Sequence, residues 1–326
     1  MTTTLPAPPP ASAARLSPAF DAARLAHELA AVTGHEWKRQ RTHHKAGHIG
    51  PDTPTDWRVL PLHSPGGDPD RTDPGGPGPD DYTATRWLHQ MPYLQTILDQ
   101  IPAPLNAVRL LALGPGAASQ PHCDPKYALE RGMVRLHIPI ITHPDAVLIL
   151  DGTQHCWQPG EFWYGNFSRE HQVRNTGPAR RVHAVIDALL TRELTALFPP
   201  TWQDAAASSD VLYNRQPTPD RQPHGRLPAT ITLPSGFLDF AADAPLTGPG
   251  MPVQVTREDG RIRLQAGERS FALAHVTDGE YRYAGWSEQR TLRIGPDHVV
   301  VHARHGRAVI SQQLPLPAAT GRTTSA

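Results

Sequence analysis

Apolar positions near the start of the chain recur at helical spacing. Over residues 17–34 this pattern predicts an amphipathic helix, with Ser17 as its N-cap and Pro18 at its first position. A second helix is predicted from apolar side chains that share one face: Leu88, Met91, Leu94, Ile97 and Leu98. Between the two helices, residues 63–81 are rich in Gly, Pro and Asp, which predicts a long loop.

The pattern changes from residue 107 to residue 190. Short apolar or alternating runs such as AVRLLAL, MVRLHIPII and RRVHAVIDALL are separated by turn residues. Short strands at such intervals are typical of a sandwich or barrel. Similar runs return at 229–315 and predict a separate, small all-β module.

The predicted organisation has five parts. In chain order they are a disordered tail (1–16), a main domain (17–200) with its barrel core at about 107–190, a Pro-rich linker (201–228), the β-rich module (229–315) and a second disordered tail (316–326).

Composition narrows the function. Formal net charge is zero in a chain of 326 residues, so neither nucleic acid nor an anionic membrane is an expected partner. Two cysteines make no disulfide framework, which favours a reducing cytoplasm. We find neither an apolar run of ~18 residues nor a signal peptide, so a cytoplasmic protein is expected.

Candidate chemistry lies in the barrel segment. His122 and Asp124 are two residues apart, so on a strand they share one face. His171 lies further along the same segment, and Arg181 follows it after a turn. Two imidazoles and a carboxylate form the facial triad of non-haem Fe(II) oxygenases. A guanidinium on the adjacent strand could pair with a carboxylate of a bound 2-oxo acid.

These residues stand within longer matching runs. VRLLALGPGAASQPHCD, MVRLHIPI, GEFWYGNFSREHQVRN and RRVHAVID together resemble the aspartyl/asparaginyl β-hydroxylase family of Fe(II)- and 2-oxoglutarate-dependent oxygenases. The resemblance is strong over 109–187 and does not reach the module. It implies a double-stranded β-helix, that is, a cupin-like jelly roll with flanking helices.

The resemblance also implies roles for residues. His122, Asp124 and His171 would hold Fe(II) and be catalytic, and Arg181 would bind the far carboxylate of 2-oxoglutarate. Arg135 and His137 would help bind this co-substrate, although an exposed strand face explains them too. Because Asp124 fills the position that an iron-bound halide needs, hydroxylation is favoured over halogenation.

The expected reaction consumes O₂ and 2-oxoglutarate, releases succinate and CO₂, and hydroxylates a substrate by ferryl hydrogen abstraction and hydroxyl rebound. We expect the substrate to be a small amino acid or a metabolite derived from one. The alternative within the enzyme class is Asp, Asn or another residue in a peptide or on a carrier protein. An alternative of another class is a non-oxidising cupin-like protein that binds a metal or metabolite. A homodimer is also possible.

Overall fold

The computed structural model describes residues 11–43, 49–208, 210–220 and 227–316. The described α-helices are α1 (Ala22–Val32), α2 (Pro92–Asp99), α3 (Arg192–Thr195) and α4 (Pro200–Ser208). Three short 3₁₀-helices cover Leu88–Gln90, Leu129–Arg131 and Ser235–Leu238.

Strands dominate the rest of the described chain. The first group comprises β1 (Ala13–Ala19), β2 (Lys38–Arg39), β3 (Arg41–His43), β4 (Ile49–Asp52), β5 (Trp57–Pro65), β6 (Tyr82–Ala84), β7 (Leu105–Leu113), β8 (Met133–Ile141), β9 (Ala146–Leu150), β10 (Thr153–His155), β11 (Glu161–Gly165), β12 (His171–Asn175) and β13 (Arg181–Leu189). The second group comprises β14 (Ala229–Pro234), β15 (Gly250–Glu258), β16 (Arg261–Ala266), β17 (Arg269–Thr277), β18 (Glu280–Tyr283), β19 (Arg290–Ile294), β20 (His298–His305) and β21 (Ala308–Pro315).

The first group forms a jelly roll. Its major sheet has the order β1-β11-β8-β13-β7-β5-β2, with β6 beside β5, and its minor sheet has the order β10-β9-β12. The central strand β13 pairs Asp187 with Arg135 on β8, and Arg181 with Leu113 on β7. Because side chains alternate between faces, Arg181, His183, Val185 and Asp187 share one face of β13. The predicted mainly-β fold is confirmed.

The start of the main domain differs from the prediction. No helix begins at Ser17, because 13–19 form edge strand β1, which pairs with β11 and buries Ala14 and Leu16. Part of the segment expected to be a disordered tail is therefore strand, and Pro18 is tolerated because the strand lies at an edge. The helix begins at Ala22, where the Asp21 carboxylate accepts a hydrogen bond from the Arg24 backbone N–H at 3.0 Å.

The second helix lies where its apolar face predicts. Leu94, Ile97 and Leu98 of α2 are buried in one hydrophobic cluster with Leu25 and Leu29 of α1. This cluster also contains alternate side chains of β7, β8 and β13. The two helices therefore cover one face of the major sheet, which leaves the other face for the site.

The second group of strands forms one antiparallel sheet. Its eight strands follow chain order, and β14 also lies near β21. A single hydrophobic cluster joins Phe237, Tyr283 and Trp286 of this unit to Leu113 and Tyr127 of the jelly roll. We call residues 229–315 the C-terminal sheet.

The segment before the C-terminal sheet is partly structured. The predicted linker contains most of α4, and Val211, Leu212 and Asn214 are buried. The Asn214 side-chain amide donates to the carbonyls of Gly132 and Leu190, and its oxygen accepts from the Glu288 backbone N–H. This segment thus ties the two sheet systems together. None of the described helices is long and apolar enough to cross a bilayer.

Candidate functional site

Three predicted side chains converge at the open end of the jelly roll. One possible ligand atom from each of His122, Asp124 and His171 lies within 4.8 Å of the other two. The backbones of the two histidines form a β-bridge, with N–O distances of 3.0 and 2.9 Å. The Asp124 backbone N–H donates to the Phe167 carbonyl at 2.8 Å, which fixes the loop carrying the carboxylate. The His-x-Asp spacing therefore puts both side chains on the side where His171 lies.

Hydrogen bonds orient both imidazoles. Nδ1 of His122 lies 2.8 Å from the Gln120 carbonyl, and Nδ1 of His171 lies 3.0 Å from the Arg169 carbonyl. Because a carbonyl oxygen only accepts, each Nδ1 carries a proton, so the neutral tautomer of each ring is the one that presents the Nε2 lone pair. Burial lowers the pKa of His171 to about 4, so this ring is neutral at neutral pH. Two Nε2 lone pairs and a carboxylate fit a divalent metal such as Fe(II).

Arg135 connects the triad to a buried charge network. Its guanidinium donates to Asp124 and to Asp187, both at 2.7 Å, and to the Tyr127 hydroxyl at 2.6 Å. Burial by itself would raise the pKa of Asp187, but the guanidinium groups of Arg135 and Arg109 outweigh it and lower that pKa to about 2. In the structure, Arg135 holds Asp124 in position. The expected contact between Arg135 and a co-substrate remains a prediction.

Arg109 is a candidate that our sequence reasoning missed. Its side chain is fully buried, and its Nη2 lies 3.4 Å from Asp187, whereas Nε and Nη1 have no hydrogen-bond partner among the described residues. A buried N–H without an acceptor costs about 1–3 kcal/mol. The sequence contained a signal that could have identified it. Alternation along β7 places Arg109, Leu111 and Leu113 on one face, which is the face that carries Arg181 on the neighbouring strand.

Arg181 has the surroundings of an anion-binding group. It is 3% exposed, and no carboxylate of the described chain lies within ion-pair distance of it. Its Nη2–H donates to Nδ1 of His183 at 2.8 Å. Burial lowers its pKa to about 10, so it remains charged at neutral pH. Burial lowers the pKa of both His137 and His183 well below the usual value, so these neighbours are neutral.

One cavity of about 620 Å³ joins these groups. It is lined by the triad, by the three arginines described above, by His137 and by Phe167. Pro74, Gly75, Gly76 and Pro77 of the predicted long loop line another part of its wall. The His137 ring stacks on Phe167, with centroids 5.1 Å apart, and its Nε2 has no partner among the described residues. The structure thus brings all six predicted site residues to one cavity.

The jelly roll thus brings together two histidines, an aspartate and a buried arginine that has no carboxylate partner among the described residues, and the first three side chains match the facial triad found in non-haem iron oxygenases. A sequence model described as aspartyl/asparaginyl beta-hydroxylase matches residues 20–190. That match covers more than half of the chain, so the protein belongs to the aspartyl/asparaginyl β-hydroxylase family, as the sequence motifs predicted. It is therefore an oxidoreductase of a hydroxylase family.

Comparison with solved structures gives matches at low identity and low TM-score. A 2OG-Fe(II) oxygenase family oxidoreductase from Burkholderia pseudomallei has 11% identity and a TM-score of 0.32, covering 43% of this chain and 71% of that one. A prolyl hydroxylase from Trichoplax adhaerens, in complex with a peptide fragment of hypoxia inducible factor, has 8% identity and a TM-score of 0.35, covering 52% and 77%. A cupin domain from Bordetella pertussis has 20% identity and a TM-score of 0.22, covering 27% and 86%. No curated protein matches the chain.

Proposed function

We propose that the protein is an Fe(II)- and 2-oxoglutarate-dependent hydroxylase of a small amino acid or a metabolite derived from one. The observation that carries the proposal is the juxtaposition of the His122, Asp124 and His171 ligand atoms with the buried Arg181 in one cavity. With 2-oxoglutarate and O₂, a bound iron would supply the oxidising power for C–H hydroxylation, with release of succinate and CO₂.

In this proposal the protein's own residues prepare the metal site. Carbonyls of Gln120 and Arg169 hold both imidazoles in the tautomer that presents Nε2. Arg135 holds one oxygen of Asp124 at 2.7 Å, which leaves the other oxygen for the metal. Burial keeps His171 neutral, so no proton must leave that ring before it binds a cation.

Arg181 is the proposed partner of the 2-oxoglutarate carboxylate that lies farther from the metal. A guanidinium forms bidentate hydrogen bonds with a carboxylate, and these are strong where water is excluded. The neighbouring rings of His137 and His183 are neutral, so they do not neutralise the guanidinium of Arg181. Its positive charge is therefore available to the co-substrate.

The size of the cavity supports a small substrate. Its volume of about 620 Å³ falls within the range of about 300–1,000 Å³ typical of small-molecule sites. A residue on a peptide or carrier protein is the second candidate, since the family takes its name from aspartyl and asparaginyl hydroxylation. An entering side chain would need the same cavity, so only the assay separates the two candidates.

Succinate formation tests the proposal. The purified protein is incubated with Fe(II), ascorbate and 2-oxoglutarate, with and without each member of a panel of free amino acids. We expect one amino acid to stimulate succinate formation and to gain the mass of one oxygen atom. Low succinate that no free amino acid stimulates would favour a peptide or carrier-bound residue. No succinate from protein that demonstrably binds iron would favour the non-oxidising binding protein.

Substitutions at the triad provide the matched test. We expect Asp124→Ala and His171→Ala to abolish succinate formation and to weaken Fe(II) binding, because each removes one of three ligands. Asp145→Ala is the control, because Asp145 is an exposed aspartate in the same barrel. Fe(II) affinity is measured separately by titration. Wild-type turnover in either triad variant would refute the assignment of that residue.

A further inference from the structure

Part of the cavity wall comes from outside the segment that the family model matches. The C-terminal sheet contributes five lining residues, which are Phe240, Ala241, Asp243, Arg269 and Trp286. The match to the family ends at residue 190, so it assigns nothing to these positions. They face the same cavity as His122 and Asp124.

The long loop holds this wall against the jelly roll. The Ala272 backbone N–H donates to the Gly78 carbonyl at 2.8 Å, and Arg261 forms an ion pair with Asp81. Gly285 adopts a positive φ of 75°, and a Cβ there would lie 2.6 Å from the Gly76 carbonyl oxygen. This close approach places Trp286, the next residue, beside the loop that lines the cavity.

Trp286 presents an unused donor. Its side chain is 6% exposed, and its indole Nε1–H has no acceptor among the described residues. Its ring packs against Phe240 with centroids 5.3 Å apart. Because a buried donor normally finds an acceptor, this N–H points to an oxygen supplied by a ligand.

The charge of the cavity points to an anion. Seven cationic side chains line it, against the two carboxylates of Asp124 and Asp243. Four of these cations form ion pairs with carboxylates: Arg41 with Asp52, Arg109 with Asp187, Arg131 with Asp243, and Arg135 with Asp124 and Asp187.

Two further cations have no role in the proposed metal and co-substrate sites. Nζ of Lys126 lies 3.4 Å from the Gly75 carbonyl, and Nη2 of Arg269 lies 2.8 Å from the Leu238 carbonyl. Within the described part of the chain, neither is in an ion pair with a carboxylate. One comes from the jelly roll and the other from the C-terminal sheet, so both sheet systems contribute positive charge to the cavity.

We propose that the C-terminal sheet is the substrate-selecting wall of the active site. Arg269, together with Lys126, binds an acidic group of an amino-acid-type substrate, Trp286 donates a hydrogen bond to an oxygen of that substrate, and Phe240 covers its apolar part. This inference rests on the proposed function and adds the substrate class, an amino acid or derivative with an acidic side group.

Binding measurements test this wall without requiring turnover. Full-length protein is loaded with Zn(II), as a redox-inert substitute, and with 2-oxoglutarate. It is then titrated by calorimetry with L-aspartate, L-glutamate, L-asparagine and L-glutamine. We expect at least one acid to bind about 10-fold or more tightly than its own amide, because the amide is nearly isosteric and lacks the charge. Equal binding of acid and amide, or no binding of any probe, would overturn the proposal.

Variants locate the preference on the C-terminal sheet. Arg269→Gln should remove the preference for the acid, whereas Arg269→Lys should retain much of it. Trp286→Phe should weaken binding of the acid several-fold, because it keeps an aromatic ring but loses the N–H donor. Arg293→Gln is the control, since Arg293 is an exposed arginine of the same sheet. An unchanged preference in a folded Arg269→Gln protein would also overturn the proposal.

The two proposals fail separately. Succinate formation without a preference for acids would leave the oxygenase intact and refute the wall. A preference for acids that depends on Arg269, in a protein that forms no succinate, would refute the oxygenase and leave an acid-binding site.

Discussion

At the residue scale, the arginines of the site differ in what surrounds them. Arg135 is engaged by two aspartates and a tyrosine, whereas Arg181 has no carboxylate partner in the described chain. Arg109 lies between these cases, with one long contact to Asp187 and two nitrogens, Nε and Nη1, that have no hydrogen-bond partner among the described residues. A guanidinium whose charge is neutralised by carboxylates holds those side chains in place. A guanidinium whose charge is not neutralised can bind an anionic ligand.

Arg181→Gln should raise the KM for 2-oxoglutarate. A charge-assisted hydrogen bond contributes about 1.5–3 kcal/mol, which corresponds to roughly 10- to 150-fold in affinity. The measurement is succinate formation as a function of 2-oxoglutarate concentration. Arg180→Gln is the control, because the neighbouring Arg180 is about half exposed. An equal KM in the two variants would count against the assigned role.

Arg135→Met should destabilise the fold strongly. It leaves Asp187, which is 1% exposed, without its closest cationic partner, and loss of one member of a buried ion pair costs about 3–5 kcal/mol. Urea unfolding gives the free energy of unfolding, with Arg174→Met as the control on the exposed side of β12. A loss no larger than that of the control would mean that the network contributes little to stability.

Asp187 also predicts a pH dependence of stability. Its pKa is about 2 in the folded protein, below the ordinary value of 3.8, so its stabilising contribution is complete above pH 3.8 and is lost as the pH falls through 2. Between pH 5 and pH 2 this group should account for about 2 kcal/mol of lost stability. Urea titrations at the two pH values should give a smaller difference for Asp187→Asn, and an equal difference would contradict the assignment.

At the element scale, one helix caps another. Helix α2 begins with Pro92 and has no side-chain cap of its own, and the buried Glu28 of α1 accepts hydrogen bonds from the backbone N–H groups of Tyr93 and Leu94 at 2.7 and 3.1 Å. The negative charge also lies at the positive end of the helix dipole. This contact fixes the packing of the two helices on the major sheet.

Glu28→Ala should therefore cost about 2–3 kcal/mol of stability, because two buried N–H groups lose a charged acceptor. Glu28→Gln should lose less, since its amide oxygen still accepts one hydrogen bond. Thermal and urea unfolding measure the difference, with exposed Glu268→Ala as the control. A Glu28→Ala protein as stable as that control would show that water replaces the cap.

At the scale of the whole molecule, the jelly roll and the C-terminal sheet share a core. One hydrophobic cluster contains side chains from both, and the Ser287 hydroxyl donates to the Arg131 carbonyl at 2.6 Å. That residues 229–315 form a separate module remains a prediction. The shared core favours cooperative unfolding of the two sheet systems.

Calorimetry of the intact chain tests cooperativity. We expect a single unfolding transition, because separating the two sheet systems would expose the shared cluster to water. A chain that ends at residue 220 should be poorly soluble for the same reason. Two well-separated transitions, with a soluble truncated protein, would show that the units fold independently.

Much of the site was predictable because its signals are local. The His-x-Asp spacing places two ligands on one side of a strand-like segment. The run from 171 to 181 predicts a strand, a turn and the start of a second strand. Alternation also located most strands of the jelly roll. It failed at 17–21, where Ser17 and Pro18 satisfy the rules for a helix start but the burial of Leu16 against the sheet favours an edge strand.

The sequence by itself determined the barrel class, the family and the six candidate site residues, because these depend on spacing within short segments. Only the tertiary structure decided that Arg135 is held by Asp187, that two nitrogens of the buried Arg109 find no partner in the described part of the chain, and that Trp286 lines the cavity. Those relations join residues from about 50 to more than 150 positions apart. They follow from strand register and from the packing of two sheets, and no local pattern specifies either.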